Sequence, residues 1–190
     1  MKETNKKYRD QSIRLKNWDY RSPGAYFITI CTKKRQQYLG HIYDGKMILS
    51  ESGIIAHTIW HEIPEHFHHV TLDAFVVMPD HIHGIILIDT VCRDVTSVCR
   101  DVACNVPTNN VPTNNVPTNG KINKMSTISP KPGSLSTIIR SYKSAVTREC
   151  NTKNLQFAWQ ARFYDHIIRD EISMERIRKY IYINPLRWET

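Results

Sequence analysis

Two histidines one residue apart, His81 and His83, sit in the run Phe75-Val76-Val77-Met78-Pro79-Asp80-His81-Ile82-His83-Gly84-Ile85-Ile86-Leu87-Ile88. Side chains alternate across a β-strand, so on this apolar, β-branched stretch the two imidazoles share one face. Imidazole is the commonest protein metal ligand, and such a pair can chelate one divalent cation. The same pair also fits two surface histidines beside a turn at Met78-Pro79-Asp80. A second group of chemically able residues closes the chain, in Arg176-Ile177-Arg178-Lys179-Tyr180-Ile181-Tyr182-Ile183-Asn184-Pro185. On a helix, Tyr180 and Asn184 are one turn apart and share a side. A phenol is a nucleophile once deprotonated, and a carboxamide oxygen suits a hard metal. Arg176 and Lys179 lie within a turn of Tyr180 and could hold a phosphate. Tyr182 falls on nearly the opposite side of that helix, and Tyr142 on an apolar stripe; both read as structural.

The elements that must position these groups can be read from periodicity. Ala25–Thr32 is rich in β-branched and aromatic residues and predicts a first strand, followed at once by Lys33, Lys34 and Arg35. Gly45–Leu49 predicts a short extended piece leading into a helix from Glu51 to Ile63, with Ile54, Ile55, Ile59 and Ile63 on its inner stripe and Pro64 as its stop. Val70–Val77 and Ile82–Ile88 predict an antiparallel pair. Ser134 can cap a helix whose apolar positions are Leu135, Ile138, Ile139, Tyr142 and Val146, its other side carrying Arg140, Lys143 and Arg148. Phe157–Phe163 reads as extended or irregular. Asp170 can cap the last helix, which runs through Ile172, Ile177 and Ile181 and ends at Pro185. Strands grouped with helices in this order predict an α+β fold, an antiparallel ferredoxin-like sheet covered by helices, with Tyr180 on the C-terminal helix.

The 190 residues suit one domain, interrupted at about 90–132 by a low-complexity insertion. There, Val-Cys-Arg-Asp-Val occurs at Val91 and Val98, and Val-Pro-Thr-Asn at Val106, Val111 and Val116. A five-residue period of Pro, Asn and Thr gives nothing to bury. Three of the five cysteines, Cys92, Cys99 and Cys104, fall in or beside these repeats, where duplication accounts for their spacing better than zinc does. An odd cysteine count, with no apolar leader at the N-terminus, predicts a cytoplasmic chain without disulfides. Lys and Arg total 26 against 18 Asp and Glu, a formal charge of +8. That balance favours a polyanionic partner, nucleic acid before an anionic membrane surface, and no apolar run is long enough to span a bilayer.

Four stretches, in this order, resemble the single-tyrosine HUH transposases, the insertion-sequence-200-like enzymes and most closely their REP-associated tyrosine branch. They are Tyr26–Thr32, Met78–Gly84, Trp159-Gln160 with Tyr164–Arg169, and Tyr180–Pro185. The resemblance implies that His81, His83 and Asn184 bind a divalent metal, Mg²⁺ or Mn²⁺, and that Tyr180 is the nucleophile. It implies cleavage and rejoining of single-stranded, hairpin-flanked DNA through a 5′-phosphotyrosine, by a monomer or a homodimer. Asn184 stands where many of these enzymes have Gln, and Asp80 where Asn is frequent. Lys33, Lys34, Arg35, Arg140, Lys143, Arg148, Arg176 and Lys179 are candidate phosphate contacts, and Trp18, Tyr20, Trp159 or Phe163 candidate stacking platforms. His166 fits either a group behind the metal ligands or a structural histidine. Two other functions stay open: a metal-dependent nuclease using water, and a hairpin-binding protein without catalysis. The pair His57 and His61 has the helical spacing of a zinc protease but lacks the Glu after the first His.

Overall fold

The computed structural model describes Leu15, residues 18–89 and residues 131–188. The repetitive stretch, with Cys92, Cys99 and Cys104, lies outside them apart from its last two residues. Among the described residues, six strands and four α-helices follow in the order β1 (Gly24–Cys31), β2 (Gly40–Tyr43), β3 (Lys46–Leu49), α1 (Glu51–His61), α2 (Ile63–His66), β4 (Val70–Met78), β5 (His81–Ile88), α3 (Leu135–Thr152), β6 (Tyr164–Ile168) and α4 (Glu171–Ile183). Short 3-10 turns cover Lys33–Arg35 and Pro185–Arg187.

The main sheet is antiparallel with strand order β4-β5-β1-β6, and β2-β3 form a separate hairpin. Leaving out that hairpin and α2, the chain runs β-α-β-β-α-β, the ferredoxin-like plan expected from the sequence. Alternation along β1 divides its residues between two cores. Tyr26, Ile28 and Ile30 are buried with Ile55, Ala56 and Trp60 of α1 and Leu135, Ile138, Ile139, Tyr142 and Val146 of α3. Ala25 and Phe27 turn to the other side, where Ile85 and Ile168 meet Met174 and Ile181 of α4. Both faces of the sheet are therefore covered, which explains why β5 is buried at nearly every position instead of alternating.

Several local expectations need correction. Ile54 is 55% exposed and does not belong to the inner stripe of α1. That stripe is set by Trp60, which lies flat on Phe75 with ring centroids 4.5 Å apart. Pro64 does not end α1; it sits in the first turn of α2, where its missing N–H costs nothing. Ser134 precedes α3 without capping a backbone N–H, its hydroxyl pairing instead with that of Thr137 at 3.3 Å. Asp170 does cap α4, accepting from Ser173 N at 2.8 Å. Ile172 is 67% exposed, because the sheet-facing line of α4 runs through Met174, Ile177 and Ile181. Gly45–Leu49 is half of a hairpin closed by Asp44 and Gly45, both at positive φ. The extended segment that joins the sheet is β6, beyond the aromatic stretch, which makes one bridge, Trp159 to Thr32.

Candidate active site

β5 begins with His81 immediately after the Pro79-Asp80 turn, and register fixes the neighbours of both histidines. His81 lies opposite Cys31 and Met78, and His83 opposite Thr29 and Val76. Both imidazoles thus face α4. They are 6% and 5% exposed, and both are pushed toward the neutral form. Burial is the main cause in each case. For His83 it is reinforced by His81 and Arg35 and carries the pKa down to about 3; for His81, Asp80 works against it.

Each ring is held by its Nδ1. The Asp80 carboxylate accepts from His81 Nδ1 at 2.6 Å, which leaves Nε2 of that neutral ring without a proton. His83 Nδ1 pairs with the Thr29 hydroxyl at 2.8 Å. When Thr29 accepts there, Nε2 of His83 is bare as well. Phe27 stacks on His83 with centroids 5.3 Å apart and supports it from the sheet.

The two Nε2 atoms face each other at 3.0 Å. Two lone pairs at that distance repel unless a proton or a cation lies between them. The separation equals the edge expected for two ligands at right angles on an ion with bonds of about 2.1 Å. Neutral rings with bare Nε2 atoms and partnered Nδ1 atoms are the arrangement that metal-binding histidines adopt. The donor set therefore fits a divalent ion. Among the described residues no three His, Cys, Asp or Glu side chains come together for a metal, so any third protein ligand must be of another type.

Tyr180 reaches this point from α4. Its hydroxyl lies 3.2 Å from Nε2 of His83, and its ring stands edge-on to Phe27 with centroids 6.1 Å apart. The side chain is 41% exposed, so the phenol faces the pocket and solvent together. Asn184 follows one turn later, half-buried, with backbone angles still helical (φ −56°, ψ −46°). It keeps the same side of the helix as Tyr180. Trp188 closes the far edge, its ring 5.9 Å from that of His81.

The expected phosphate contacts divide among three regions. Lys33, Lys34 and Arg35 form the turn that leaves β1 at the end of the sheet where His81 lies, with Arg35 tied to Asp80 at 2.8 Å. Arg176 and Lys179 are exposed on α4. Arg140, Lys143 and Arg148 are on α3, across the sheet from α4. Arg140 and Arg148 are exposed, whereas the Lys143 ammonium donates to Gln160 O at 2.6 Å and Arg162 O at 3.0 Å. Arg148 and Lys143 line an open groove with Trp159 and Gln160. Trp18 is engaged with the Tyr26 hydroxyl at 3.0 Å, and Tyr20, Trp159 and Phe163 pack against the larger core. His166 is exposed opposite Phe27, on the same face as His83 but with β1 between them. His57 and His61 adjoin on α1, which packs on the opposite face of the sheet.

Three supporting residues escaped the sequence reading. Thr29 and Phe27 follow from strand parity once β1 is paired with β5. Asp73 does not: a bulge between Leu72 and Phe75 breaks the register there, and nothing in the sequence joins Asp73 to its partner Arg178.

No family model matches the chain. An uncharacterised protein of Haemophilus influenzae strain Rd is 37% identical over 183 residues, covering 94% of this chain and 89% of that one. Among solved structures, the REP-associated tyrosine transposase bound to a REP hairpin is similar with a TM-score of 0.55 and 19% identity, over 93% of this chain and 74% of that one. The chain belongs to the family of the Haemophilus protein, and its fold is that of a REP-associated tyrosine transposase.

Proposed function

We propose that this protein is a tyrosine transposase that cleaves and rejoins single-stranded DNA beside a hairpin, with Tyr180 as nucleophile. One observation carries the reading: the Tyr180 hydroxyl, 3.2 Å from Nε2 of His83, stands beside two neutral, facing imidazoles. The fold shared with a transposase bound to a REP hairpin supports the choice of DNA substrate, as does the formal charge of +8. No helix among the described residues is long and apolar enough to cross a membrane.

His81 and His83 would hold Mg²⁺ or Mn²⁺, with the Asn184 carboxamide as a further oxygen ligand. The bound ion would polarise the scissile phosphate and offset charge on the leaving oxygen. Tyr180 Oη attacks phosphorus in line, loses its proton, and forms a phosphotyrosine with the 5′ side of the break. The P–O3′ bond opens, and the 3′ oxygen takes up a proton. Attack by another 3′-hydroxyl reverses these steps and joins strands without ATP, since the ester bond is conserved. Phe27 and Thr29 fix His83 and so the target of Tyr180, and fixed geometry dominates phosphoryl transfer. Lys33 and Lys34, in the turn that leaves β1, and Arg176 and Lys179, exposed on α4, would contact the strand backbone.

The test is incubation with end-labelled, hairpin-flanked single strands and Mn²⁺, followed by denaturing electrophoresis. A protein–DNA adduct should form, disappear in Tyr180→Phe, and disappear with EDTA. Cleavage without an adduct, unchanged in Tyr180→Phe, would instead identify a nuclease that uses water. Hairpin binding without cleavage, indifferent to EDTA and to Tyr180→Phe, would identify a binding protein.

A further inference from the structure

Asp80 and Arg35 touch neither phenol nor substrate in this scheme, yet both are held firmly against the histidine pair. Asp80 is 5% exposed, and both of its carboxylate oxygens are engaged. Oδ1 accepts from His81 Nδ1 at 2.6 Å, and Oδ2 meets Arg35 Nε at 2.8 Å. Its carbonyl is locked as well, accepting from both the backbone N–H and the hydroxyl of Thr32 at 2.9 Å. Arg35 reaches back through a turn in which Lys34 and Arg35 both have left-handed backbone angles, φ 55° and 57°. Non-glycine residues adopt that conformation at a cost, and it persists where surrounding contacts require it. The turn delivers the guanidinium to the end of β1, where Nη1 also donates to Cys31 Sγ at 2.9 Å.

We propose that the Asp80–Arg35 ion pair is a positioning device for His81 that sets the cation affinity of the histidine pair, Asp80 raising it and Arg35 restraining it. The inference rests on the reading above that His81 and His83 hold a divalent ion. A carboxylate on Nδ1–H fixes the ring and its tautomer and makes Nε2 a stronger donor. An amide oxygen at this position could accept the same hydrogen bond without the negative charge, so Asp here adds charge to a hydrogen bond that Asn could supply. Arg35 partly cancels that charge. Its guanidinium sits 2.8 Å from the far oxygen of the same carboxylate, so it opposes a cation at the histidines while Asp80 favours one. The two residues therefore act on a bound cation in opposite senses.

Mn²⁺ titration of the metal-free full-length chain, followed by the electron paramagnetic resonance signal of the free ion, separates these effects. Asp80→Asn keeps shape and hydrogen bond, and should weaken Mn²⁺ binding about 10-fold or more. Arg35→Gln, on the exposed rim, should tighten it by roughly two- to five-fold at low salt, with the gain shrinking as salt is added. Affinity within two-fold of the parent in Asp80→Asn, or shifts of the same sign in both variants, overturns the proposal. The variant His81→Ala/His83→Ala tests the underlying reading separately. If it binds Mn²⁺ as the parent does, the cation lies elsewhere, and the metal assignment falls together with this inference.

Discussion

Asp73 grips Arg178 across the interface between β4 and α4, with Nη2 2.6 Å from Oδ2 and Nε 3.1 Å from Oδ1. The bulge in β4 lets Asp73 make this contact, and Arg178 lies two residues before Tyr180. Arg178 also binds Glu171 and Glu175, so one guanidinium joins the first turns of α4 to the sheet. Its side chain is 36% exposed, so the ion pair contributes little to stability. Its effect on geometry is larger. Asp73→Ala should leave the urea midpoint nearly unchanged and slow adduct formation roughly 10- to 100-fold, as expected when a nucleophile is displaced by about 1 Å. An unchanged adduct rate would mean that packing of Met174 and Ile181 alone seats the helix.

The neutral histidines predict a defined acid sensitivity. His83 has its pKa lowered from 6.5 to about 3, and His81 is also lowered, so the unfolded chain binds protons that the folded chain refuses. Stability then rises with pH across this interval. In metal-free protein, the contribution is complete above the unfolded value of 6.5 and is lost progressively as pH falls toward about 3. Urea unfolding at pH 8, 6 and 4 should show a small loss from pH 8 to 6 and a larger one from pH 6 to 4. His83→Phe should flatten that loss, because Phe takes up no proton in either state.

These features were unequally visible in the sequence. His81 and His83 were legible because a two-residue period on a strand fixes their common side, and Tyr180 with Asn184 because helical spacing does the same. The apolar stripe of α3 was legible, though its cap was not, since every position on that stripe faces one continuous core. Ile54 and Ile172 were misplaced, because apolar character alone does not say which side of a helix the tertiary partner covers. The β2–β3 hairpin was only half seen, although Asp44-Gly45 carries its turn signal. Convergence of the phenol on the imidazoles depends on α4 lying across the sheet face opposite α1 and α3, and no local pattern encodes that. The Asp73–Arg178 contact spans 105 residues and depends on a bulge.

Gly84 occupies a position where a methyl group would not fit. A Cβ there would lie 2.8 Å from Trp60 Cη2 and 3.2 Å from Phe75 Cδ2, against the stacked pair that fixes α1 to the sheet. Gly84→Ala should destabilise the protein by about 1–3 kcal/mol, as overpacking of a full core does. The readout is the urea midpoint at unchanged slope. Because Gly84 adjoins His83, displacement of β5 should also weaken Mn²⁺ binding. A variant as stable as the parent would show that Trp60 can move aside without cost.

Lys143 and Arg148 occupy the same groove but should respond differently to substitution. Two of the three Lys143 N–H donors are engaged by the carbonyls of Gln160 and Arg162, on the segment that carries Trp159 and bridges to Thr32. Arg148 is exposed, and its charge is open to a nucleic acid backbone. Each phosphate contact to a single strand contributes about 0.7 to the slope of log affinity against log salt. Arg148→Ala should therefore lower that slope by about 0.7 in hairpin-flanked strands, with little change in melting temperature. Lys143→Met should do the reverse, lowering the melting temperature and leaving the slope as it was. Equal slope losses in the two variants would make Lys143 a phosphate contact and its carbonyl bonds incidental.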